Sequence, residues 1–288
     1  MLLKLFRLIV QCESHRRGPG VRRLLRHALF RRAVRPLTAA LIAGLFPFAA
    51  WAGTAVPRCN NPFDLLRLAS PLKRLQHRLT TTDPITVVAI GSSSTAGAGA
   101  SSPAKSYPSQ LEAALKAHFR GHTLTVLNRG VNGEEIGDML KRFGTDVVAL
   151  KPDLVLWQLG TNSVMRDQQI GAHGSLIRDG LRQIRAIGAD VVLIDPQYVP
   201  RVIAKPDAER MVEFLALTAK QENIDLFRRY ELMKRWYQVD HLSFDTFVSP
   251  DGLHLNDWSY ACMAKGLADV IAEAAQRPVQ AATVRSSR

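Results

Sequence analysis

From residue 85 to residue 227 the chain alternates short apolar runs with stretches of helical spacing. No other feature constrains its fold as much. Ile85 to Ile90, Leu124 to Leu127, Leu154 to Leu159, Val191 to Ile194 and Ile224 to Phe227 read as five strands. Tyr107 to Phe119, Glu135 to Leu150, Ile170 to Ile187 and Ala208 to Gln221 read as the helices between them, with Ser259 to Ala275 as a closing helix. Such alternation builds βαβ units and so a parallel sheet. The runs are apolar on both faces, as strands covered on both sides must be. Parallel crossovers are right-handed, so a reversal of winding puts helices on both faces of the sheet.

In open α/β sheets the site lies outside the carboxyl ends of the strands. That rule sorts the polar residues. Ser93 follows strand one in the turn Gly91-Ser92-Ser93-Ser94-Thr95. Gly133 ends the turn after strand two, and Gly160-Thr161-Asn162 follows strand three. Asp251-Gly252-Leu253-His254 lies beyond strand five. A serine hydroxyl is a weak nucleophile and needs a base, which itself needs an orienting group. Ser93, His254 and Asp251 supply those three roles. A carbonyl attacked by serine develops negative charge on oxygen, and donors must be fixed there beforehand. The backbone of Ser93 and Gly133 and the amide of Asn162 are the candidates. Alternatives stay open: Ser92 or Ser94 as nucleophile, and Asp240-His241 as a rival pair. The Gly-rich loop lacks the ending of a P-loop, and Thr95 breaks a Gly-x-Ser-x-Gly elbow. The acids at 240, 245, 251 and 257 match no closed metal motif, so no metal and no organic cofactor is expected.

In these blocks the chain resembles the SGNH hydrolase superfamily, the GDSL-type esterases. Ser93 matches the block-one nucleophile, Gly133 the block-two glycine, Asn162 the block-three asparagine, and Asp251-Gly252-Leu253-His254 the block-five Asp-x-x-His. The blocks occur in order within residues 85–276. Three positions depart from the usual pattern: Ser92 for Asp, Ser94 for Leu, and Ser163 for the Asp after the block-three Asn. The resemblance implies a three-layer α/β/α sandwich with a flavodoxin-like, parallel five-stranded sheet of order 2-1-3-4-5. It also implies a Ser-His-Asp triad acting through an acyl-Ser93 intermediate. The activity range it suggests runs from esterase and lipase to deacetylase and acyltransferase, since fold does not choose among these. A non-catalytic glycan-binding module on the same fold is the alternative. By position alone, Arg129, Gln197 and Tyr198 line the substrate cleft or serve as structural hydrogen-bonding groups.

The 288 residues carry a net charge of +13, but the charge is concentrated at the front. Residues 1–52 hold ten Lys/Arg against one acid, Glu13, and the remainder has 28 basic and 24 acidic residues, a net +4. Nucleic acid is therefore not an expected partner. A basic region, the apolar run Pro36 to Ala49 and the small-x-small site Ala50-Trp51-Ala52 read as a signal peptide over 1–52. The apolar run is too short to span a bilayer, so no membrane span is expected after cleavage. An uncleaved anchor is the alternative. The expected organisation is then an N-terminal extension with a packing helix, Phe63 to Leu79, over 53–84, a hydrolase domain over 85–276 and a disordered tail over 277–288. Beyond the leader the cysteines number two, Cys59 and Cys262. In an oxidising compartment they would form a disulfide, with two free thiols as the alternative. These features predict an exported, periplasmic or secreted bacterial enzyme acting on O-acyl esters of envelope glycans or on lipid esters.

Overall fold

The computed structural model describes residues 56–278. The leader over 1–52 and the tail beyond Pro278 lie outside them. The strands are β1 (Ile85–Gly91), β2 (Leu124–Gly130), β3 (Leu154–Gln158), β4 (Asp190–Ile194) and β5 (Asp225–Phe227). They form one sheet in the order β2-β1-β3-β4-β5, and every pairing is parallel. The register aligns the carboxyl ends: Gly91 pairs with Gly130, Ile90 with Trp157, Gln158 with Ile194 and Ile194 with Phe227. Helices cover both faces. Trp157 of β3 is buried against Phe143, at 4.9 Å between rings. Its indole N–H meets Met139 Sδ at 3.3 Å. A Cβ on Gly180 would come within 2.3 Å of that indole, so glycine lets helix His173–Ala186 settle on the strand. Helices Tyr107–His118 and Asp257–Gln276 pack together, with Leu111, Leu115, Met263 and Leu267 fully buried.

Two of the expected helices are broken. Residues 63–79 form two short helices, Phe63–Leu66 and Lys73–Arg78, in place of one. Pro71 interrupts the ladder, and the break frees the Ala69 and Ser70 N–H groups to donate to Asp225 at 2.5 and 3.3 Å. Residues 135–150 divide into Ile136–Lys141, Phe143–Asp146 and a short 3₁₀ turn, Val148–Leu150. Further helical segments, Arg229–Gln238 among them, lie outside the sequence expectation.

Residues 56–84 are built into the core. Leu66, Leu68, Leu72 and Leu75 are buried. Aspartates at the start of three strands hold the segment. Asp153 accepts from Arg74 at 3.0 Å and Arg78 at 2.6 Å, Asp190 from the Leu75 N–H at 3.0 Å, and Asp225 as above. Cys59 and Cys262 are joined by a disulfide, with Cα atoms 5.4 Å apart. Arg277, assigned to the tail from sequence, is bound into the fold. Its guanidinium donates to the carbonyls of Leu68 and Ala69 at 2.8 and 3.0 Å and pairs with Glu273.

Candidate active site

Strand β1 delivers the turn that carries the candidate nucleophile. Ser92 leaves the strand extended, and Ser93 opens a one-turn helix, Ser93–Ala96. Gln158, the last residue of β3, fixes this turn: its Oε1 accepts from the Ser92 N–H and the Ser92 hydroxyl, each at 3.0 Å. Ser92 and Ser94 are buried, and the Ser94 hydroxyl has no partner. Ser93 alone of the three reaches a base: its Oγ lies 2.9 Å from His254 Nε2.

The base arrives on a tight loop. Asp251 Oδ1 accepts from the Leu253 and His254 N–H groups, both at 2.9 Å, which folds the Asp-x-x-His segment into a turn. The other oxygen, Oδ2, lies 2.5 Å from His254 Nδ1. Gly252 has φ +69°, a conformation that favours glycine. Burial pushes the Asp251 carboxyl up. The His254 N–H, the His254 ring and the Leu253 N–H outweigh it and hold the carboxyl down at about 2. An ionised Asp251 takes the Nδ1–H and so leaves Nε2 as the acceptor facing Ser93. Past the loop, Asn256 and Ser259 form a capping box that starts the last helix, a device worth about 1 kcal/mol.

Gly133 and Asn162 complete the constellation. Gly133 has φ +78° in the turn after β2. Asn162 sits on the short helix Thr161–Met165, entered through Gly160 at φ +88°. Its Nδ2 donates to the Glu134 carbonyl at 2.8 Å, which ties the two candidate oxyanion elements together. A second proton on that nitrogen remains for a ligand.

For Gln197, Tyr198 and Arg129 cleft lining and a structural role are both open from sequence, and the contacts seen for them are structural. Gln197 is buried, and it braces the site from behind. Its Oε1 accepts from the Thr161 hydroxyl at 2.9 Å, and its Nε2 donates to the Leu253 carbonyl at 3.2 Å. Tyr198 is packed edge-on against Tyr230, 5.2 Å between rings. It walls a separate cavity of about 390 Å³ with Lys205 and Glu209. Arg129 turns towards Asp146, 3.9 Å away, and only its carbonyl takes part near the site. Residues at the ends of strands point to either face or along the edge, and position in the sequence does not tell which. His241 makes no bond to Ser93; its neighbour Asp240 accepts from Asn60. Gln158, Arg142 and Arg166 were not singled out from sequence. Only Gln158 left a signal there, as a lone amide ending an otherwise apolar run.

A model of the non-GDSL lipase-like family matches residues 58–277. The chain belongs to that family. Membership places it among the carboxylic ester hydrolases of the SGNH superfamily. An arylesterase of Vibrio mimicus is 28% identical over 153 residues, 52% of this chain and 70% of that protein. A two-domain esterase active on acetylated mannans superposes with a TM-score of 0.61 at 18% identity, over 74% of this chain. The matched region spans 56% of that larger protein. A putative lipolytic protein of the G-D-S-L family from Desulfitobacterium hafniense gives 0.55 at 20% identity, over 64% of this chain and 98% of its own. At these identities the solved structures speak for the shared fold.

Proposed function

We propose that the chain is a serine esterase in which Ser93, His254 and Asp251 form the catalytic triad, with Ser93, Gly133 and Asn162 as the oxyanion hole. The observation that carries this reading is the continuous line of contacts Ser93 Oγ to His254 Nε2 at 2.9 Å and His254 Nδ1 to Asp251 Oδ2 at 2.5 Å. Ser93 Oγ bonds to the ester carbonyl carbon while its proton passes to Nε2. The carbonyl oxygen takes the electron pair and is met by the Ser93 and Gly133 N–H groups and the Asn162 amide. The bond from carbon to the alcohol oxygen then breaks, and the alcohol leaves with the proton from His254. Water repeats the sequence on the acyl-serine and releases the acid.

The proposed substrates are O-acetyl or other short O-acyl esters of envelope glycans, and the proposed place is outside the cytoplasm. The leader composition, the paired cysteines and the activity of the mannan-active neighbour on acetylated glycans support this. A fluorophosphonate probe should label Ser93, and Ser93→Ala should lose both labelling and esterase activity while keeping its melting temperature. Activity surviving in that variant would overturn the triad. In a series of p-nitrophenyl esters the acetyl ester should give the highest kcat/KM, and acetate should be released from acetylated glycan. Preference for long acyl chains would move the assignment to lipid esters.

A further inference from the structure

The proposed oxyanion donor Gly133 lies in a turn whose geometry is held from outside. The Glu134 N–H reaches the Val131 carbonyl at 3.4 Å, so residues 131–134 form a β-turn with Gly133 third. The positive φ of Gly133, without one at Asn132, marks it as type II. Type I and type II turns differ by a rotation of the middle peptide, here Asn132–Gly133. That peptide carries the Gly133 N–H and makes no hydrogen bond inside the turn. Its rotation would exchange N–H for C=O at the point where the oxyanion forms. A Gly-containing turn does not by itself hold one state.

Two arginines grip this turn. Arg166 donates from Nη2 to the Gly133 carbonyl at 2.8 Å, and its Nη1 pairs with Glu135. Arg142 meets the Glu134 carboxylate through Nε, at 2.9 Å to each oxygen, and through Nη2 at 2.6 Å. The same Nη2 reaches the carbonyls of Arg129 at 2.9 Å and Gly91 at 3.4 Å. Its Nη1 pairs with Asp146 at 2.7 Å. One guanidinium therefore binds the end of β1, the end of β2 and the oxyanion turn. Both Arg142 and Glu134 are largely buried, so solvent screens their pair weakly.

We propose that Arg142 and Arg166 are positioning residues that fix the turn 131–134, and with it the Gly133 N–H, at the place beside Ser93 where it meets the developing oxyanion; this rests on the triad and oxyanion reading above. Arg142 ties the turn to the ends of β1 and β2, and Arg166 holds the Gly133–Glu134 peptide through its carbonyl. Neither group needs to touch the substrate.

The test measures kcat and KM on p-nitrophenyl acetate, melting temperature, and affinity for a trifluoromethyl ketone. Ser93 Oγ adds to the ketone carbon, its oxygen becomes an oxyanion, and the serine proton passes to His254. Arg166→Met, at an exposed site, should lower kcat about 10- to 100-fold, the range expected for a misplaced catalytic group. KM should stay within about two-fold, and ketone affinity should fall by the same factor as kcat/KM. Arg142→Lys should not restore the loss seen in Arg142→Met, because one ammonium cannot fork across Glu134 and two carbonyls. Unchanged kcat and ketone affinity in a folded Arg166→Met variant would overturn the proposal. So would losses that track only the melting temperature. Ser93→Ala, assayed alongside, separates the failures: activity surviving in it overturns the triad reading on which the clamp rests, whereas an inactive Ser93→Ala beside a fully active Arg166→Met overturns the clamp alone.

Discussion

Three adjacent serines differ here by what surrounds them, and the difference arises across the sheet. Gln158 on β3 takes Ser92, the core takes Ser94, and only Ser93 faces His254. The motif register selects the same residue from sequence, but the bond from Gln158 is a tertiary contact, and its trace in the sequence is only a lone amide ending an apolar run. Asp251 yields a prediction at this scale. Its folded-state carboxyl is held at about 2, below its ordinary 3.8. The folded protein thus binds that proton more weakly than the unfolded chain does. The resulting stability is fully present above about pH 4 and is lost as pH falls through about 2. The urea midpoint of the wild type should fall across that window more steeply than that of Asp251→Asn. The same variant should lose about 10⁴-fold in kcat at neutral pH, because the imidazole tautomer is no longer fixed. Superimposable acid profiles would show that Asp251 is not held by these contacts.

At the scale of elements, the turns rather than the strands decide function. Gly130 ends β2 directly against the nucleophile turn: a Cβ there would come within 2.0 Å of the Ala96 nitrogen and 2.5 Å of the Thr95 carbonyl carbon. Both are backbone atoms of the segment that presents Ser93. Gly130→Ala should therefore destabilise by roughly 1–3 kcal/mol, the usual cost of overpacking, and lower kcat. Gly137, on a helix with open space around its Cα, is the control. Gly137→Ala should be neutral or stabilise by up to about 1 kcal/mol. Urea unfolding and steady-state kinetics check both. The strands were legible because short apolar runs between helical patterns suit a sheet buried on both faces; their order was carried by the family resemblance alone. The interruptions were not legible. Apolar spacing runs on through Met139, Phe143, Val147 and Leu150, so it hides a break at Arg142, whose side chain turns back to Glu134 and Gly91. The break at Pro71 depends likewise on Asp225, more than 150 positions away.

Across the whole molecule, the first and last described segments hold each other. Cys59 meets Cys262 across a sequence separation of 203 residues. Arg277 caps the carbonyls of Leu68 and Ala69, and Trp236 and Trp258 donate to the carbonyls of Asn60 and Pro57 at 3.0 and 2.9 Å. Non-reducing peptide mapping of exported protein should find a mature start near Gly53 and the two cysteines linked. Thiols that both alkylate under denaturing, non-reducing conditions would overturn the linkage. For a loop this long, chain entropy alone assigns the bond roughly 4–5 kcal/mol, an upper figure. Reduction should therefore lower the urea midpoint clearly.

This closure has a consequence for where the chain can be cut. The proposed base His254, the partner of Cys59 and the arginine that anchors Leu68 all lie between residues 254 and 277, after all five strands in the chain. A chain cut before residue 254 would therefore lack the proposed base, the partner of Cys59 and the helix that covers one face of the sheet.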